Sequence, residues 1–127
     1  MKTETKQIII DTNALIAIGE FKIDIFSELQ RICDFPYKIN IILGTLEELN
    51  RIHQEADGKY KAAAKLALDI IKKKNIAIIE EEGYVDDVLV KYSKKGNIVL
   101  TQDLALKKRL TKPYLTIRQK KTIIFIT

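Results

Sequence analysis

The sequence predicts an α/β fold built around a mainly parallel sheet, and three observations lead there. Short β-branched runs such as Ile8-Ile9-Ile10 and Ile98-Val99-Leu100 are apolar at every position, as strands buried on both faces are. They alternate with longer stretches of helical periodicity, the pattern of βαβ units. Turn-forming residues punctuate the chain between the two kinds of segment.

Residues 7–10 read as the first strand, followed by a helix over 13–18. A second helical pattern covers 22–33, with Phe26, Leu29 and Ile32 on one face, and Asp34-Phe35-Pro36 ends it. The apolar run 38–43 is the next strand, and a helix over 45–55 follows. Asp57-Gly58 separates that helix from another over 59–74. A strand at 76–79, a turn at Glu82-Gly83, a helix over 85–95 and a turn at Lys95-Gly96 come next. A strand at 97–101 leads to a short helix at 103–110, and Pro113 precedes a strand at 114–117, where extended geometry suits it. The run Thr122 to Phe125 is either an added edge strand or a segment that meets another subunit. The tracts Lys72-Lys73-Lys74 and Glu80-Glu81-Glu82 read as solvated ends of elements, and there is no internal repeat.

A chain of 127 residues with 46% hydrophobic content is sized for one domain with one packed core, so 1–127 is expected to form a single domain. No apolar stretch approaches the roughly 18–20 residues needed to span a bilayer, and the opening Met1 to Lys6 lacks a signal-peptide core. A cytoplasmic, non-membrane protein is expected. Cys33 is the only cysteine, which excludes an internal disulfide and a thiolate zinc site; it reads as a packing residue.

The net charge of +5 is distributed unevenly. Residues 104–127 carry Lys107, Lys108, Arg109, Lys112, Arg118, Lys120 and Lys121 and no acid, whereas the first 103 residues hold 15 basic and 17 acidic ones. A basic end on a slightly acidic body suits a polyanionic partner, nucleic acid above all, although it would also serve as a solvated surface.

Ligands of parallel α/β sheets bind outside the carboxyl ends of the strands, so acids at those ends come first. Asp11 follows the first strand directly and could equally cap the next helix. Asp103 lies two residues past Thr101, again ahead of a helix, with the same two readings. Glu47 or Glu48 begins the helix after the second strand, and Asp86 or Asp87 begins the helix before the fourth. Adjacent helical residues differ by about 100°, so one of each pair points inward, and spacing alone leaves open which. Asp86 and Asp87 would also suit the positive end of a helix dipole.

Four carboxylates around one crevice repel one another unless a proton or cation intervenes. Oxygen-only ligands suit Mg²⁺ or Mn²⁺, one or two ions, which would activate water and stabilise a phosphoryl oxygen. Competing chemistries find no support. His53 is the only histidine, and there is no nucleophile elbow, GxxxxGK[ST] loop or GxGxxG turn.

These residues resemble the PIN-domain nucleases. Ile8 to Ile16, with Asp11-Thr12-Asn13 at its centre, resembles the first motif of that family, and Glu48-Leu49 the second. Val85-Asp86-Asp87-Val88-Leu89 and Ile98 to Asp103 are similar to the third and fourth, so the motifs run from residue 8 to about 118. Asp24-Ile25-Phe26, the doubled Asp86-Asp87, Asp103 to Leu110 and Ile117-Arg118 look like archaeal and eukaryotic PIN proteins linked to ribosomal RNA processing.

The resemblance implies an α/β/α sandwich and a metal-dependent endoribonuclease. It implies Asp11, Glu48, Asp86 and Asp103 as catalytic metal ligands, with Asn13 and Thr101 in support, and so chooses Glu48 over Glu47 and Asp86 over Asp87, the alternates that spacing leaves open. Gln102 departs from the Asn or Arg common at its place, which bears on substrate contacts. Lys107, Lys108, Arg109, Lys112 and Arg118 would bind RNA phosphates. A homodimer and either an antitoxin or a ribosome-assembly partner are implied as well. The alternatives are a ribonuclease toxin of a toxin–antitoxin pair and a non-catalytic RNA-binding module; the complete acid set argues against the latter. A receiver-like domain would need an acid pair near the start, which is lacking.

Overall fold

The computed structural model describes residues 5–127 and contains a six-stranded sheet covered by helices on both faces. In chain order the elements are β1 (Lys6–Ile10), α1 (Thr12–Phe21), α2 (Ile25–Ile32), β2 (Tyr37–Ile42), α3 (Leu43–Glu55) and α4 (Gly58–Lys73). They continue with β3 (Ala77–Ile79), α5 (Val85–Lys94), β4 (Ile98–Leu100), α6 (Leu104–Arg109), β5 (Tyr114–Arg118) and β6 (Thr122–Ile126). The sheet order is β3-β2-β1-β4-β5-β6. Every neighbouring pair is parallel except β5 and β6, so Thr122–Ile126 is an antiparallel edge strand.

Why the strands had to be apolar throughout is visible in β1, where alternate side chains serve two cores. Ile8 and Ile10 join Leu15, Leu29, Leu49 and Ala64 on the face covered by α1 to α4. Ile9 joins Leu89, Val99 and Leu106 on the face covered by α5 and α6. Both flanks of β1 are fully buried, each isoleucine being 0% exposed. Each such side chain contributes roughly 1.5–3 kcal/mol relative to exposure. Cys33 packs at the edge of the first core, as the sequence suggested.

Two helix boundaries differ from expectation. The helical pattern at 22–33 begins only at Ile25, because α1 continues to Phe21 and is ended by Lys22 in a left-handed conformation (φ 55°). Asp24 then caps α2, its Oδ1 accepting from the Ser27 amide at 3.1 Å and its Oδ2 from the Ser27 hydroxyl at 2.7 Å. The second difference lies at the end of β2, where α3 starts at Leu43 with no intervening loop and no side-chain cap. Close helix packing holds α1 on α4: a Cβ on Gly19 would stand 2.9 Å from the Ala63 Cα, so only glycine permits this approach. Among the described residues no helix is long and apolar enough to cross a membrane.

Candidate active site

The chain runs from β1 leftward to β2 and β3, then crosses back to β4 on the other side of β1. The carboxyl ends of β1 and β4 therefore flank a topological switch point, where parallel sheets open a crevice. Asp11 and the segment Thr101-Gln102-Asp103 occupy those two ends. Backbone hydrogen bonds from Asp11 N to Leu100 O (2.9 Å) and from Thr101 N to Leu115 O (3.1 Å) extend the pairing beyond the strands.

Asp11 is 6% exposed. Its Oδ1 accepts from the Thr12 amide at 2.8 Å, and its Oδ2 accepts from the Thr101 hydroxyl at 2.8 Å. Burial pushes its carboxyl above the usual range despite these two donors, and the charges of Asp86 and Glu48 push in the same direction. Asp86, half-buried at the start of α5, is raised first by burial and then by the Asp103 charge, with Asp87 and Glu48 adding to it and Arg109 opposing. Asp11 thus lies within the fields of Asp86 and Glu48, and Asp86 within those of Glu48 and Asp103.

The paired candidates separate by exposure. Glu47 faces solvent while Glu48 is partly buried, and Asp87 is exposed while Asp86 turns inward. Asp87 is engaged by Arg109 at 2.7 Å, and Glu48 lies 3.8 Å from Arg51. Asp103 does cap α6, its Oδ1 accepting from the Leu106 amide at 3.0 Å. The capping reading and a metal-ligand role are compatible, since one oxygen serves the helix and the other accepts no hydrogen bond among the described residues. Asn13, by contrast, is exposed in the first turn of α1 and hydrogen-bonds to none of the four acids.

Among the described residues, no three Asp, Glu, His or Cys side chains converge closely enough to hold an ion as they stand. Glu48 lies instead 3.8 Å from Arg51, and Asp103 turns one oxygen to the Leu106 amide of its own helix. The donor chemistry nevertheless fits a hard divalent cation: all oxygens, one of them on a buried carboxylate whose charge is disfavoured without a counter-ion.

Three features of the site depart from or go beyond the sequence reading, the first being Gln102, which was expected to bear on substrate contacts. Gln102 is structural: its Oε1 accepts from the Ile117 amide (2.6 Å) and the Thr116 hydroxyl (2.8 Å), and its Nε2 donates to Ile117 O (3.2 Å). The side chain continues the ladder to β5 where β4 has ended, which fixes the loop carrying Thr101 and Asp103. Gly44 is the second feature. A Cβ there would lie 2.5 Å from Val85 Cγ2, so the bare backbone lets the starts of α3 and α5 touch and brings Glu48 towards Asp86. A glycine inside a helix costs stability and was the available signal.

The third is that the basic residues are dispersed. Lys107 and Lys108 end α6, and Arg118, Lys120 and Lys121 cluster where β5 turns into β6, at the same sheet edge as the acids. Lys112 precedes β5 and so lies at the opposite edge. Arg109 is tied to Asp87 on the rim of a crevice lined by Glu48, Tyr84, Val85 and Asp86.

Comparison with known proteins agrees with this architecture. The chain is 35% identical over 123 residues to Ribonuclease VapC4 of Methanocaldococcus jannaschii, covering 91% of this chain and 92% of that one. It is 29% identical over 103 residues to Ribonuclease VapC9 of Archaeoglobus fulgidus, covering 80% and 73%. The structure of the PIN domain endonuclease Utp24 superposes with a TM-score of 0.73 at 25% identity, covering 94% of this chain and 90% of that one. A family described as PIN like domain matches residues 8–120, which is nearly the whole described fold, and the chain belongs to it.

Proposed function

We propose that residues 1–127 form one PIN-like domain that hydrolyses RNA phosphodiester bonds with the help of Mg²⁺ or Mn²⁺. The observation that carries the reading is Asp11, a carboxylate buried at the switch point within the fields of Glu48 and Asp86. The ribonuclease names of the relatives and the endonuclease name of the structural neighbour support the activity.

In this reading Asp11, Glu48, Asp86 and Asp103 hold the ion. When bound, it would lower the pKa of water and offset charge on a phosphoryl oxygen. The protein's own contribution is positional. The Thr12 amide and Thr101 hydroxyl fix both oxygens of Asp11, so its carboxylate cannot rotate away. The Thr101 oxygen also receives the Asp103 amide at 3.1 Å, so one hydroxyl sets the spacing of two acids. Gly44 against Val85 sets the spacing of the other two. Lys107, Lys108 and Arg118 supply phosphate contacts without sequence information.

The decisive experiment incubates a pool of single-stranded and hairpin RNAs with Mg²⁺, Mn²⁺ or EDTA, with Asp11→Asn beside the wild type. Cutting that needs metal and is lost in the variant supports the reading; no cutting under any condition favours a binding module. Two biological settings remain in competition. The motif resemblance supports ribosomal RNA processing, with an assembly protein as partner, and the relationship to Ribonuclease VapC4 supports a toxin neutralised by an antitoxin. Growth arrest on expression of the wild type but not of Asp11→Asn would select the toxin.

A further inference from the structure

Among the described residues two large apolar side chains are far more exposed than the rest, and each stands at the start of a helix beside one of the candidate acids. Tyr84 is 83% exposed and Leu104 74%, whereas the next, Tyr60 and Leu66, are 41%. Tyr84 immediately precedes Val85 and Asp86, lines the crevice with Glu48, Asp87 and Arg109, and Leu104 immediately follows Asp103.

The Tyr84 backbone is fixed although its side chain is free. Its carbonyl accepts the first hydrogen bond of α5 from the Val88 amide at 3.0 Å, and the neighbouring Val85 is wedged against Gly44. The phenol ring takes part in none of the aromatic or cation–π contacts among the described residues, and its hydroxyl makes no hydrogen bond there. Leaving an aromatic ring in water forgoes stabilisation that folding could have collected, and a rigidly mounted ring beside a phosphate-handling site has an evident ligand.

We propose that Tyr84 is a substrate-positioning residue that stacks on an unpaired nucleobase next to the phosphate held at the acids, with Leu104 offering a second apolar contact across α6. The inference rests on the nuclease reading and names the residue that would hold a base beside the scissile phosphate, which requires that base to be unpaired. A paired base has both faces occupied by its neighbours and cannot present one to the ring. Charge favours RNA over a protein as the occupant. The crevice holds acids that need a cation, lies beside Arg109, and shares its sheet edge with Arg118, Lys120 and Lys121.

The test uses a single-stranded RNA of about a dozen nucleotides carrying 2-aminopurine, titrated in EDTA with wild type, Tyr84→Phe and Tyr84→Ala. Stacking quenches the fluorophore, so wild type and Tyr84→Phe should quench it, while Tyr84→Ala should lose the quench and bind on the order of tenfold more weakly. In cleavage assays with Mn²⁺ the same variant should raise KM by a similar factor, with kcat changed much less. Undiminished quenching and affinity in Tyr84→Ala, while the wild type binds and cuts RNA, would overturn the inference and leave the nuclease reading standing. A dimer that dissociates on Tyr84→Ala with RNA binding intact would overturn it in favour of a protein contact. If the wild type bound no RNA, both readings would fall together.

Discussion

The Thr101 hydroxyl donates to Asp11 Oδ2 at 2.8 Å while accepting from the Asp103 amide at 3.1 Å, so a single oxygen joins the ends of β1 and β4. Thr101 is 0% exposed, and losing that oxygen would strand a buried carboxylate oxygen and a backbone amide. Thr101→Val is therefore expected to destabilise the protein by about 1–3 kcal/mol and to depress cleavage, whereas Thr101→Ser retains most of both. Chemical denaturation of the three proteins checks this; equal midpoints for Val and Thr would show that the link contributes nothing.

Asp11→Asn should separate activity from stability. Because burial raises the Asp11 carboxyl above its ordinary value, ionising it costs the folded state free energy as pH rises through the raised pKa. Below the ordinary range, near pH 3.8, the group is neutral in both states and the cost vanishes. In EDTA at neutral pH the variant should melt above the wild type, with the gap closing towards pH 4, and divalent metal should raise the wild-type midpoint only. A lower melting temperature for the variant in EDTA would contradict the burial argument.

Glu28 carries the opposite shift. Its carboxylate accepts from Arg31 at 2.9 Å, from the Thr122 hydroxyl and from the Ile123 amide at 3.0 Å, and these donors hold its pKa down to about 2. The stabilisation is complete above the unfolded value near 4.5 and is lost as pH falls towards 2. Glu28→Gln should cost about 1 kcal/mol at pH 7, loosen β6 from α2, and show a smaller acid-induced loss than the wild type. Hydrogen exchange at Ile123 reads the local effect.

Gly44 and Val85 should behave as a coupled pair. Gly44→Ala places a methyl 2.5 Å from Val85 Cγ2 and is expected to cost about 1–3 kcal/mol, with lower affinity for metal because Glu48 and Asp86 are forced apart. Adding Val85→Ala should recover part of the loss, a non-additivity that a double-mutant cycle measures. Strict additivity would mean the two residues do not meet.

The basic residues predict salt dependence. Replacing Lys107 and Lys108 by Gln should weaken single-stranded RNA binding and reduce the slope of log K against log salt by about 1.4. Lys112→Gln, at the far edge of the sheet, should leave the slope unchanged. Similar effects from both would move the RNA path away from the acidic edge.

The sequence by itself determined the order of elements, the parallel sheet and the place of Asp11 at a strand's carboxyl end, because a doubly buried strand must be apolar at every position and the acid directly follows one. It also determined that Asp103 would stand at the matching place on β4. Spacing left open the choices within Glu47-Glu48 and Asp86-Asp87, which only the family resemblance made, because the members of each pair differ by one helical step and depend on which face the neighbouring helix covers. The break between α1 and α2 was hidden as well, since Ile18, Ile23 and Ile25 keep the apolar pattern running through a left-handed Lys22. Only the tertiary structure decided that Gln102 completes a strand ladder, that Arg109 is drawn to Asp87, and that Gly44 seats the start of α3 against α5. Each depends on residues far apart in the chain meeting at one sheet edge, and periodicity within a segment carries no record of such meetings.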